Sequence, residues 1–110
     1  MEKVKDFFKQ QNIYNDDFFE YVKDKTVIFP YDTPLSWFGC FPIIKDGILK
    51  DIRLAVPEII NEQNLLVNLH EYYHAYELYN ELNQIYEENK EKREQAATNF
   101  EQVYLLNRKK

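Results

Sequence analysis

The strongest hydrophobic pattern in this chain lies between residues 61 and 82, a segment without glycine or proline. Four apolar residues recur there at i, i+4, i+7 and i+11, the spacing of one helical face: Leu65, Leu69, Tyr72 and Tyr76. Other apolar side chains lie on the remaining sides, and a helix that is apolar on most sides is usually buried. The pattern therefore predicts a buried helix over 61–82, with Asn61 as its N-cap.

Apolar residues also form helical stripes in the first part of the chain: Phe7 and Phe8, then Phe18, Phe19, Tyr21 and Val22. Asn15 or Asp16 is the expected cap between two short helices, because their side chains accept hydrogen bonds from the first free backbone N–H groups. We interpret these residues as a helical layer packed against a sheet.

Three segments between these helical regions have the composition of β-strands. Residues 26–29 form the first, and residues 37–44 form the second, in which Pro42 indicates an irregular or edge strand. A tight turn at residues 45–47 leads to the third strand, residues 48–56, which alternates in part between apolar and polar side chains. We expect a small, mostly antiparallel sheet.

The last predicted element is a C-terminal helix from Glu94 to Leu106, preceded by a charge-rich loop over residues 87–94 that extends into solvated first turns. Its expected buried residues are Ala97, Phe100, Val103 and Tyr104. The sequence thus predicts a single domain over residues 1–110, of α+β class: N-terminal helices, a small sheet, a buried helix and a C-terminal helix.

Composition and charge restrict the classes of partner. The chain of 110 residues is 45% hydrophobic, and its net charge of −5 argues against a nucleic-acid partner. Cys40 is the single cysteine, so no disulfide forms within one chain, as in proteins of reducing compartments. Neither a signal peptide nor an apolar run of about 20 residues is present, and we therefore expect a cytoplasmic protein without a membrane partner.

The only two histidines lie in the predicted buried helix, within the stretch His70-Glu71-Tyr72-Tyr73-His74. Residues at i and i+4 share one helical face, so both imidazoles can reach one metal ion. Neutral imidazole is a good zinc ligand. Glu71, about 100° around the helix from His70, can act as the base for a water molecule at such an ion.

This stretch matches the HExxH signature of zinc-dependent peptidases, and the chain resembles the zincins of the gluzincin type. In that branch a glutamate on a second helix is the third ligand, and Glu94 follows His74 at the matching spacing of twenty residues. The segment from Glu94 also resembles, more distantly, the ImmA/IrrE-type peptidases, from which it departs at Tyr73 and Gln95. The rival third ligands are Glu77, which ranks next, and then Glu87, Glu88 and Glu91.

The resemblance implies a Zn²⁺-dependent peptidase that acts on peptides or proteins, with Glu71 as general base and with His70, His74 and Glu94 as metal ligands. It also implies a sheet-edge strand beside the metal-binding helix, to which substrate adds as a further strand. Either the strand over 37–44 or the third strand would be that edge. The group that stabilises the oxyanion stays open among Tyr31, Arg53, Tyr86 and Tyr104.

Two other interpretations of the same residues stay open. In the first, the chain binds zinc without catalysis as a protein-interaction module, or needs a partner protein to complete its cleft, because a chain this short leaves little for a substrate subdomain. In the second, His70 and His74 are hydrogen-bonded core residues of a metal-free helical pair.

Overall fold

The structure, a computed structural model, describes residues 2–30, 32–57 and 64–108. Its elements are, in order, α1 (Glu2–Gln10), α2 (Asp16–Lys23), β1 (Thr26–Phe29), a short 3₁₀ turn (Leu35–Trp37), β2 (Gly39–Lys45), β3 (Ile48–Pro57), α3 (Leu65–Tyr79) and α4 (Lys90–Arg108). Helices and one small sheet are thus both present, which confirms the predicted α+β class.

The two N-terminal helices follow the predicted division. Asn15 precedes α2 in an extended conformation, and its side-chain oxygen accepts hydrogen bonds from the backbone N–H groups of Asp17 at 2.9 Å and Phe18 at 3.3 Å. This is an N-cap, because the side chain satisfies two donors that have no partner within the helix. Asn15 rather than Asp16 is therefore the cap.

The sheet has the strand order β1-β3-β2, with β3 in the centre. β2 pairs with β3 in antiparallel orientation, whereas β1 pairs with β3 in parallel orientation. The sheet is therefore mixed: the antiparallel β2–β3 pairing is the longer one, and the parallel β1–β3 pairing was not predicted. The hairpin between β2 and β3 gives the antiparallel pair, and the longer connection from β1 to β3 passes through β2 and returns the chain in the direction of β1.

The predicted second strand begins too early. Trp37 belongs to the 3₁₀ turn, where its backbone N–H donates to Pro34 O at 3.0 Å, and β2 starts only at Gly39. The tight turn lies where it was predicted: Asp46 and Gly47 both have positive φ angles, 54° and 77°. Positive φ at both central positions is the geometry of hairpin turns that match the twist of the strands.

The core lies between the sheet and the helices. β3 contributes Leu49, Ile52, Leu54 and Val56, all of which are buried and belong to the same apolar cluster as the helical residues. Aromatic rings fill the helical side: the ring of Phe8 lies 5.2 Å from that of Phe100 and 5.7 Å from that of Tyr76. Such ring pairs contribute beyond their buried area, and here they join α1, α3 and α4.

The two C-terminal helices differ from their predicted bounds at the ends. The expected N-cap Asn61 lies outside the described residues, and α3 ends at Tyr79 rather than residue 82. The chain leaves the helix through turns that reach Asn83, whose positive φ of 67° is incompatible with a continuing helix. α4 begins at Lys90, before Glu94, and packs on α3 through the stacked rings of Tyr73 and Phe100, whose centroids are 4.6 Å apart.

Candidate metal centre

Both histidines lie on one face of α3 and are directed at α4. Their Nε2 atoms are 3.2 Å apart, and the two rings meet edge to face with centroids 4.8 Å apart. The side chains are mostly buried, with exposed fractions of 16% for His70 and 13% for His74. The helical i, i+4 spacing therefore brings the two ring nitrogens close together.

Glu94 reaches the same point from α4. Its Oε2 lies 3.1 Å from His70 Nε2, and its Oε1 lies 2.8 Å from His74 Nε2. One carboxylate thus faces the nitrogen that each imidazole would offer to a metal. The strongest rival, Glu77, instead lines a separate cavity of about 410 Å³ with Glu81 and Arg93.

Glu101 completes the surroundings of His70, and the sequence interpretation did not include it. Its Oε1 lies 2.8 Å from His70 Nδ1. Because a carboxylate only accepts, the ring donates its Nδ1–H, which leaves Nε2 free for a ligand role. Glu101 follows Glu94 by seven residues, so both carboxylates lie on one face of α4. That spacing is the pattern from which this contact could have been predicted.

The two histidines differ in their affinity for a proton. Burial lowers the pKa of His70, but hydrogen bonds to Glu101 and Glu94 outweigh burial, and the pKa is raised above its usual range. Burial also lowers the pKa of His74, and here it dominates over the hydrogen bond to Glu94. In the metal-free protein a proton is therefore held more tightly by His70 than by His74.

Glu71 lies beside the two histidines on α3. A carboxylate oxygen of Glu71 and one ring nitrogen from each histidine lie within 4.8 Å of one another. Burial raises the pKa of Glu71, and the nearby carboxylates of Glu94 and Glu101 raise it further against the lowering effect of His70. Glu71 is thus near enough to act at the centre.

The donor set fits a divalent cation that prefers imidazole and carboxylate ligands. Ligand atoms about 2.0–2.1 Å from a tetrahedral zinc ion lie roughly 3.3 Å from each other, and His70 Nε2 and His74 Nε2 lie 3.2 Å apart. Three carboxylates surround two imidazoles, so the negative charge exceeds any positive charge that the histidines can carry. The group of His70, Glu71 and His74 could therefore hold a metal ion.

A cleft of about 630 Å³ runs between β2 and α3 and is named here the β2–α3 cleft. β2 contributes residues 39–42 and Ile44, and α3 contributes Glu71, His74 and Leu78. β2 lies at an edge of the sheet, whereas β3 lies in its centre. The third strand is therefore wrong as an edge strand, and the irregular second strand, now β2, is the edge strand that borders the cleft beside α3.

The four residues that were weighed as oxyanion donors have different positions. Tyr86 lines the β2–α3 cleft, and its backbone N–H donates to Gly47 O at 2.8 Å. Tyr104 packs edge-on against Phe7, with centroids 5.3 Å apart, and Arg53 donates to Asp51 at 2.6 Å. Tyr31 lies outside the described residues. Among the three described candidates, Tyr86 is the one that borders the cleft.

Comparisons of this chain with family models, with curated proteins and with solved structures find no match. Within the described part of the chain, no helix has both the length and the apolar composition needed to cross a bilayer. The geometry of the centre and the chemistry of its side chains therefore carry the functional argument.

Proposed function

We propose that this protein is a zinc-dependent metallopeptidase. The observation that carries the proposal is the meeting of His70 Nε2, His74 Nε2 and the Glu94 carboxylate at distances of 2.8–3.2 Å, beside Glu71 and at the border of the β2–α3 cleft. Two imidazoles and a carboxylate are the protein ligands of one class of catalytic zinc sites, which keep a further position open.

Each side chain of the centre has a distinct role in the proposal. His70, His74 and Glu94 hold the ion, and Glu101 fixes the ring of His70 through its Nδ1–H. Zinc, when bound, lowers the pKa of a water molecule towards about 7 and polarises a substrate carbonyl. Glu71 takes the proton of the attacking water and passes it to the leaving amine, which is general acid–base catalysis by one carboxylate.

The edge strand β2 is the proposed binding site for the substrate backbone. An extended peptide adds to an exposed strand through main-chain hydrogen bonds, which tolerate many sequences, while side-chain pockets select among them. Leu78 and Ile44 border the β2–α3 cleft and favour apolar substrate side chains. Tyr86, which also borders the cleft, is the proposed donor to the oxyanion that develops at the scissile carbonyl.

The alternative function is a zinc-binding protein-interaction module without catalysis. The open side of the centre, where the Glu94 side chain is 62% accessible, favours this alternative in one respect, because a partner protein could supply the missing wall. A partner protein that covers α4 at Glu94 would complete the cleft in either case. The two functions share the ion and differ in whether Glu71 has a chemical role.

Hydrolysis of a mixed peptide library by the zinc-loaded protein, followed by mass spectrometry, separates these functions. The Glu71→Gln variant is the matched control, because it removes the base and leaves the metal ligands in place. Cleavage by the wild type and none by the variant is the expected result. Zinc in both proteins with cleavage by neither would favour the interaction module.

A further inference from the structure

Glu94 is held in place by few contacts of its own. Its side chain is 62% exposed, and its hydrogen-bond partners are the two histidines that it faces. Two of the proposed ligands lie on α3 and this one lies on α4, so the distance between the near ends of these helices determines whether the three can meet. A connection of residues 80–89 separates the helices in the chain.

Arg93 is the residue that fixes the near end of α4. Among residues 90–95, Arg93 alone is not exposed, and its side chain is 15% accessible. Its two terminal nitrogens donate to the two carboxylate oxygens of Glu81, both at 2.8 Å. Glu81 lies two residues after Tyr79, the last residue of α3, so this paired contact joins the start of α4 to the turn that follows α3.

Two further contacts tie the same guanidinium to the connecting segment. It donates to the backbone oxygen of Glu87 at 3.1 Å, and it lies over the ring of Tyr86 at 5.2 Å from the ring centroid. A planar guanidinium makes such paired and stacked contacts together, which a lysine ammonium does not. The first turns of α4, the connecting segment and Tyr86 are therefore held by one side chain.

Further contacts between α3 and α4 lie farther along the helices. Phe100 stacks on Tyr73, and Glu101 bonds to His70, about two helical turns from Glu94. These contacts fix the middle of α4. Ala97, about one turn after Glu94, is also buried, whereas residues 90–92 and Glu94 are exposed. The position of Glu94 thus depends on Arg93, its neighbour in the chain.

We propose that Arg93 is a positioning residue for the metal centre, which acts by clamping the start of α4 to the end of α3 and so holds Glu94 against His70 and His74. The inference rests on the proposed metal site. It concerns a residue that borders the β2–α3 cleft but is not a proposed ligand, and that the sequence motif does not contain.

Electrostatics and positioning predict opposite effects at Arg93. Its positive charge acts at the centre, since it lowers the pKa of His74, although burial is the larger cause of that shift. Removal of this charge alone would make the centre more attractive to a cation. Removal of the clamp would instead displace Glu94 and weaken binding, by about 10- to 100-fold if it resembles the loss of other residues that support metal ligands.

The test is the zinc affinity of Arg93→Gln, Arg93→Lys and Lys92→Gln, measured by competition with a chromogenic chelator. Arg93→Gln and Arg93→Lys are both expected to bind zinc at least about tenfold more weakly, because neither keeps the paired contact with Glu81. Lys92→Gln removes the same charge from an exposed neighbour and is expected to retain the affinity. Unchanged or tighter binding in both Arg93 variants would overturn the proposal.

Two further measurements separate positioning from general stabilisation. In a Glu94→Ala background the effect of Arg93→Gln on zinc affinity should disappear, because Glu94 is the group through which Arg93 acts. An equal loss in that background would contradict the inference. In the metal-free protein, amide exchange of residues 93–95 should be at least about tenfold faster in Arg93→Gln, with the amides of β3 unchanged.

The exchange measurement keeps the two proposals distinguishable. If the wild type takes up no zinc, the proposed function fails, and amide exchange alone decides whether Arg93 holds the start of α4. If the wild type binds zinc and the Arg93 variants bind it equally well with unchanged exchange, the inference fails and the metal site stands.

Discussion

Replacement of Glu101 tests whether the surroundings of the two histidines are built for a metal. Glu101 is not a proposed ligand; its contact with His70 Nδ1, at 2.8 Å, fixes which nitrogen of the ring is free. Glu101→Leu removes the acceptor and leaves the buried Nδ1–H without a partner. Glu101→Gln keeps an oxygen that can accept the same hydrogen bond but removes the negative charge.

The expected magnitude follows from this geometry. The Glu101 side chain is 20% exposed, so water replaces its contact only in part. Loss of a carboxylate that orients a ligating histidine typically weakens metal binding 10- to 100-fold. This corresponds to about 1.4–2.7 kcal/mol of binding free energy. Glu101→Leu should approach the upper value, and Glu101→Gln should lie at or below the lower one, because the ring keeps its orientation.

Isothermal titration with zinc measures both variants against the wild type, with Gln102→Ala as a control on the exposed side of the same helix. Thermal unfolding of the metal-free proteins shows whether each variant is folded at the temperature of titration. Wild-type affinity in folded Glu101→Leu would refute the reasoning, because it would mean that the His70–Glu101 contact has no part in metal binding.

Three further predictions follow from the same centre. Glu71→Gln should retain zinc and lose hydrolysis; cleavage by that variant at the wild-type rate would exclude Glu71 as the base. Glu94→Ala should weaken zinc binding severely, since two protein ligands remain; unchanged affinity would transfer the third position to another carboxylate. Between the lowered pKa of His74 and the raised pKa of His70, zinc affinity should fall about tenfold for each unit of decreasing pH, because one proton on His70 competes with the ion. A titration series in pH checks this, and affinity independent of pH would contradict it.

The proton on His70 and the zinc ion both stabilise the fold, but their contributions change in opposite directions as pH rises. Because the pKa of His70 is raised in the folded protein, its protonated form stabilises the metal-free fold below the usual histidine pKa of 6.5. That contribution is lost as pH rises through the raised pKa, where the neutral ring becomes available to zinc. The increase in melting temperature on zinc addition should therefore grow from acidic to neutral pH.

Several parts of the fold could be predicted because they depend on local sequence. The helical face through Leu65, Leu69 and Tyr72, the Asn15 cap and the turn at Asp46 and Gly47 each follow from spacing or from residue preference. Trp37 was misplaced because an aromatic residue beside a strand has strand propensity, whereas its backbone hydrogen bond to Pro34 belongs to a turn.

The strand order could not be predicted in this way. Whether β1 pairs in parallel with β3 depends on the path of the chain between them, and no local pattern encodes that path. For the same reason β3 was open as an edge strand until its two neighbours were known. Propensity identifies a strand, and only tertiary structure assigns its partners.

In the candidate metal centre, too, some features follow from local sequence and others depend on tertiary structure. His70 and His74 lie close together because residues at i and i+4 share one face of a helix. Glu94 was identified through the resemblance to known peptidases. Glu101 and Arg93 were missed, because their partners lie in other parts of the fold, His70 on α3 and Glu81 in the turn after α3. The seven-residue spacing between Glu94 and Glu101 predicts that both lie on one face of a helix. That this face contacts His70 depends on the packing of α4 on α3, which the spacing does not predict.

The most direct test of the central claim is the zinc content of the purified protein, prepared without added metal or chelator and measured beside His74→Ala. Removal of one of the two imidazoles should destroy the site, while the fold is checked by circular dichroism. The account predicts close to one zinc ion per wild-type chain and loss of that zinc in the variant. A folded wild type that contains no metal and takes up no added zinc would contradict the proposed centre.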